Sequence, residues 1–276
     1  MRDKQNLDKK RNMDYSAKWR MALGAFVPRH IPNRVVCGVM GLLSVLHRTS
    51  KRKREENRGV NLQICGLDTK TNLTAEAGLS ASTESICFTP GKYVENQPQW
   101  KDVRFGKRSD MAYSGCEILA VYNALLSLGE CLSALELVEL ISTFEGKGAV
   151  WAGQLGTAPG AICKYFRKRG YKTEIRYWRD ESTVNELGEE YDTIIVMFYN
   201  DAHDIFKMIH TVNISKDKEG KYWVHNCYKR QGIKFFADGS YESLWNAIHN
   251  RDFRERAVLC TIGIRKNSCR GSENRI

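Results

Sequence analysis

The sequence predicts an α+β fold: helices in the first part of the domain, a mainly antiparallel sheet in the second. Three observations predict it. Between residues 117 and 170, apolar residues recur at helical spacing three times, each run closed by a glycine. From residue 171 onward the chain switches to short runs rich in β-branched and aromatic residues. One pair of those runs is joined by the tip "KDKEGK" (216–221), which reads as a hairpin rather than a crossover.

The first helix is read from "EILAVYNALLSL" (117–128), with Gly129 as its stop. Ile118, Leu119, Val121, Tyr122, Leu125, Leu126 and Leu128 cover so wide a face that the helix should be buried on most sides. The second, "SALELVELISTFEG", opens on a capping box of Ser133 and Glu136 and ends at Gly146. The third, "TAPGAICKYFRKRG", takes Thr157 as cap, Pro159 in its first turn and Gly170 at its end. Strands are read at 171–178, 192–199, 206–214, 221–228, 233–236 and 257–264. Short helices are read at "TVNEL" and at "SYESLWNAI" (240–248), the latter opening on Ser240.

Residues 1–92 read differently, as a basic, irregular N-terminal extension, followed by a domain over 93–268 and a tail over 269–276. The chain of 276 residues carries a net charge of +11, concentrated in "MRDKQNLDKKR" and "HRTSKRKREENR". Such an arm suits a solvated surface or contact with an anionic surface. No zinc-finger spacing or RNA-binding fingerprint accompanies it, which argues against a sequence reader of nucleic acid. The apolar run "VVCGVMGLLSVL" (35–46) is too short to span a bilayer and reads as a core, docking or interfacial helix. No clear secretion signal precedes it. The nine cysteines are irregularly spaced with no CxxC pair, so neither structural zinc nor a dithiol motif is expected, and a reducing compartment is favoured. These features place the protein in the cytoplasm, with membrane association an option.

Cys116 stands after "SG" at the mouth of the first helix. There the helix dipole favours a thiolate, although a buried structural cysteine fits the same pattern. A thiol nucleophile needs a base, and the base needs an orienting group. Of six histidines, His210 sits in the strand "KMIHTV", and Asn226 follows sixteen residues later across the hairpin. The side-chain carbonyl of Asn226 is expected to accept from the imidazole and fix its tautomer.

Together "SGCEILAVYNALLSLG", "GQLGTAPGAICKYFRKRGYKTEI", "YDTIIVMFYN", "KMIHTVNI" and "YWVHNCY" resemble a papain-like cysteine peptidase domain. The nearest likeness is to the double-glycine leader (bacteriocin-processing) peptidases and their stand-alone bacterial relatives, over roughly residues 95–265. The resemblance implies a papain-like fold, with Cys116 as nucleophile, His210 as general base and acid, and Asn226 as orienter. It also implies hydrolysis or transfer of an acyl group at an amide or thioester bond of a peptide or protein substrate, without metal or cofactor. Asp110 stands at the oxyanion position, where the family usually carries a Gln, and Gln97 and Gln99 lie upstream. Glu117 places a carboxylate directly behind the thiol. The loop "GKGAVWAGQLG" (146–156), with Trp151 and Gly153, is the expected wall of the substrate cleft. No membrane-spanning or nucleotide-binding portion accompanies the domain. The rival readings are a non-catalytic peptide- or partner-binding domain on the same scaffold, and a basic adaptor acting through residues 1–60.

Overall fold

The computed structural model describes residues 24–46, 48–64, 88–177, 180–203, 205, 208–227, 239–249 and 257–267. The strand read at 233–236, the arm before residue 24, the stretch "DTKTNLTAEAGLSASTES", His47 and the tail at 269–276 lie outside them.

In chain order the helices and strands are α1 (24–30), α2 (Asn33–Leu46), α3 (Lys51–Ile64), β1 (Arg104–Phe105), β2 (Ser109–Asp110), α4 (Met111–Ser114), α5 (Cys116–Ser127), α6 (Ala134–Lys147) and α7 (Pro159–Lys168). There follow β3 (Tyr171–Arg176), α8 (Glu181–Glu190), β4 (Thr193–Tyr199), β5 (Ile209–Lys216), β6 (Tyr222–His225), α9 (Leu244–Ile248) and β7 (Ala257–Lys266). Short 3-10 turns at Gln97–Trp100 and Val150–Gly153 complete the list. The five-stranded sheet has the order β3-β7-β4-β5-β6, antiparallel at every step, and β1 and β2 form a separate small ribbon. The α+β class read from the sequence therefore holds.

Side-chain alternation divides the sheet into two apolar faces. Ile195 and Ile262 face a core built with α5, α6 and α7. Ile194, Val196, Phe198, Val212 and Ile214 face α8 and α9. Gly263 lets the Tyr191 ring lie flat on that second face, because a Cβ there would fall 2.6 Å from the ring. Helix α5 is deeply embedded: Cys116 through Leu125 are all buried, in keeping with its wide apolar face.

Three local expectations shift. The cap of α7 is Ala158, not Thr157, whose hydroxyl is instead buried inside the domain. Helix α9 starts after Ser243, whose hydroxyl accepts from Asn246 N, and not at Ser240. The N-terminal extension, where described, is built into the domain. Val36, Cys37 and Met40 of α2 join Met197, Tyr199 and Cys260 of the sheet in one core. Asn57 of α3 donates to Gly106 O and Glu145 Oε1. The charged run at residues 51–61 hides this in the sequence, because its inward-facing groups are Asn57, Asn61 and an arginine stem rather than apolar side chains. Among the described residues, no helix is long and apolar enough to cross a membrane.

Candidate functional site

The position of Cys116 follows from a close joint between two helices. Asp110 caps α4 by accepting from Tyr113 N at 2.8 Å. Gly115 then donates to Met111 O at 3.0 Å, so tightly that a Cβ on Gly115 would lie 2.8 Å from Met111 Cα. Only glycine fits, and the next residue begins α5 with its amide at the open, electropositive end.

The Cys116 thiol is buried at 3% exposure. It donates to Glu117 Oε2 at 3.2 Å and lies 3.9 Å from the carbonyl of Ile209. Thr211 lies against it from the same strand and favours its charged form. The thiol therefore sits beside Ile209 and Thr211, whereas His210 leaves β5 on the alternate face, in line with Phe198, Val212 and Ile214. Burial pushes its pKa well up, and the Glu117 charge pushes it further. Burial also lifts Glu117, to about 7, against hydrogen bonds from its own backbone, the Cys116 thiol and the Thr157 backbone. Room for that carboxylate comes from Gly156, at φ 68°, where any side chain would strike it. At rest the pair holds the sulfur protonated.

His210 is also buried, paired across β4 with Phe198. Its Nε2 lies 2.9 Å from the backbone carbonyl of Asn226. A carbonyl can only accept, so Nε2 carries the proton and Nδ1 is the basic nitrogen of the neutral ring. This corrects the expected contact: the orienting acceptor is the main chain of Asn226, not its side-chain amide. The reason is local. β6 ends at His225, and Asn226 turns at φ 62°, a left-handed conformation that asparagine tolerates. Its side chain is held by Gln97, whose amide N donates to Oδ1 at 3.3 Å and whose Oε1 accepts from Nδ2 at 3.1 Å. Gln97 Nε2 in turn donates to the carbonyls of Met111 and Ala112, tying Asn226 to the segment that precedes the thiol.

Glu95 and His225 complete the arrangement and were not singled out from the sequence. Glu95 Oε2 accepts from Asn226 N at 2.6 Å, and Oε1 pairs with His225 Nδ1 at 2.7 Å. His225 Nε2 reaches Ser215 Oγ at 2.8 Å, and the Tyr93 ring stacks on the imidazole at 3.6 Å. The chain of contacts clamps the turn that presents the Asn226 carbonyl to His210. The available signal was the adjacency of His225 and Asn226. The segment "YVENQ", which supplies the partners, carries no periodicity that ties it to β6.

The other expected site residues lie apart from the thiol. Asp110 is the cap of α4, and as a carboxylate it accepts rather than donates, so it does not supply an oxyanion donor. Trp151, 42% exposed, and Gly153 belong to a turn packed on the β1–β2 ribbon, where Gly153 approaches Phe105 O so closely that a Cβ would fall 2.6 Å from it. The far end of the same loop, Gly156 and Thr157, is the part that reaches the Cys116–Glu117 pair.

Comparison with protein-family models, with curated proteins and with solved structures returns no match.

Proposed function

We propose that this domain is a papain-like cysteine enzyme that hydrolyses or transfers an acyl group at an amide or thioester bond. The reading is supported by the Cys116 thiol at the open end of α5, 3.9 Å from the carbonyl of Ile209, and by the adjacent His210, whose Nε2 is engaged by the Asn226 carbonyl; to reach the sulfur the ring swings from the Phe198 side of β5. In the proposed reaction Nδ1 takes the thiol proton as sulfur attacks the substrate carbonyl. The first amides of α5 stabilise the oxyanion. The imidazolium, held through Nε2 by the Asn226 carbonyl, then protonates the leaving amine or thiolate. Water or an amine, deprotonated by the same nitrogen, attacks the acyl-enzyme and releases the product with sulfur as leaving group. Glu117 competes with His210 for the thiol proton. The resting thiol is thereby kept neutral, and substrate or lower pH, by neutralising Glu117, favours the active ion pair.

A second reading is a peptide-binding domain on the same scaffold. It draws on the protonated, 3%-exposed thiol and on the engagement of Gln97 Nε2 with backbone carbonyls. Turnover of a fluorogenic peptide and thioester panel separates the two. Turnover by the native chain that is lost in Cys116→Ala, with the circular dichroism spectrum unchanged, supports the enzyme. Equal turnover by the variant, or peptide binding without turnover, supports the binder.

A further inference from the structure

Helix α2 has an anomaly that the acyl-transfer reading does not use. Val36, Cys37, Met40 and Ser44 point into the core. A helix on a protein surface ordinarily turns polar residues outward opposite such a face. Here the outward face carries Val35, Val39, Leu42 and Leu46, spaced at intervals of three and four so that they form one stripe, with Val45 beside it. All five are between 50% and 66% exposed, and Phe26 of the preceding helix is 50% exposed. Gly38 and Gly41 also face open space. Exposed apolar patches of this kind mark contact surfaces.

Charge identifies the partner. Exposed Arg34 stands at the start of α2, and Arg48, Lys51 and Arg52, all exposed, follow the end of the stripe within six residues, Lys51 and Arg52 also pairing with Glu55 and Glu56 one turn on. We infer that α2 is an interfacial helix that lays its Val35–Val39–Leu42–Leu46 stripe into an anionic bilayer surface, with the flanking cations on the headgroups. Fourteen residues make a helix of about 21 Å, long enough to lie in the interface and too short to span. The opposite face stays fixed to the sheet, so the domain would be held against the membrane rather than tethered to it.

The test is co-sedimentation of the full chain with phosphatidylcholine vesicles, with and without phosphatidylglycerol. Binding to the phosphatidylglycerol vesicles, weakened by salt, is expected. The double variant Leu42→Ser and Leu46→Ser should lose about tenfold or more in partitioning. Arg48→Gln with Arg52→Gln should lose about tenfold, with thermal unfolding unchanged. Absence of binding, or equal binding to both vesicle types, overturns the inference. So does a concentration-dependent dimer that the leucine variants abolish, which would make a second copy of the chain the occupant of the stripe.

Discussion

The backbone carbonyl of Asn226 accepts from His210 Nε2 at 2.9 Å, while the Asn226 side chain is occupied with Gln97. The identity of the side chain at 226 therefore matters through backbone conformation and anchoring, not through a direct bond to the imidazole. Asn226→Gly keeps the φ of 62° at little cost and keeps the carbonyl. It should lose about tenfold or less in kcat/KM, whereas His210→Ala should lose about a thousandfold. Equal losses would show that the amide itself acts on the ring.

Glu117 sets the resting state of the thiol. Glu117→Gln removes a charge next to the sulfur while preserving its shape against Gly156. The Cys116 pKa should fall, and alkylation by iodoacetamide near neutral pH should speed up by about tenfold, the equivalent of one pKa unit. In the native chain Cys116 alkylation should fall less steeply below pH 7 than a simple thiol titration, because Glu117, lifted to about 7, becomes neutral there and ceases to oppose the thiolate.

Gly156 has no room for a side chain. Its φ of 68° strains any L-residue, and a Cβ would collide with the Glu117 carboxylate. Gly156→Ala is expected to cost roughly 2 kcal/mol or more in urea denaturation. In the Glu117→Ala background that cost should shrink, since the collision is gone and only the backbone term remains.

Glu145 makes stability depend on pH. It is buried between α6, Asn57 and the β1–β2 ribbon, and burial lifts its pKa to about 7. Among the described residues, its Oε2 and the Oδ1 atoms of Asn57 and Asn61 have no hydrogen-bond partner, an environment that favours the protonated acid. Because the folded pKa lies above the unfolded one, the folded state binds the extra proton. Stability from this group is present in acid and is lost as pH rises from about 4.5 to about 7. Glu117 contributes in the same direction. Glu145→Gln should flatten part of this decline and match or exceed the native melting temperature at pH 8. A native chain whose melting temperature rises over that pH window would contradict the assignment.

The sheet and the helices α5 to α7 were legible because glycine stops, a capping box and β-branched runs are local signals that tertiary packing did not override. The proximity of His210 and Asn226 was legible because a hairpin fixes which strands are neighbours. The direct Asn226–imidazole contact was not, since the left-handed turn at Asn226 is imposed by Glu95 and Gln97, more than 125 residues away in the chain. The same distance hid Glu95 and His225. The packing of α3 was hidden by polarity: Asn57 and Asn61 bury amides at 1% exposure or less, where a reader of hydrophobic periodicity sees only a solvated basic helix.

The central claim is that His210 activates Cys116, and the most direct measurement is the pH dependence of Cys116 alkylation by iodoacetamide, read by peptide mass spectrometry. Cys116 of the native chain should be alkylated about tenfold faster than Cys116 of His210→Ala, with the exposed Cys131 as the internal reference whose rate the substitution leaves unchanged. Labelling of Cys116 that is indifferent to His210→Ala at every pH would contradict this role.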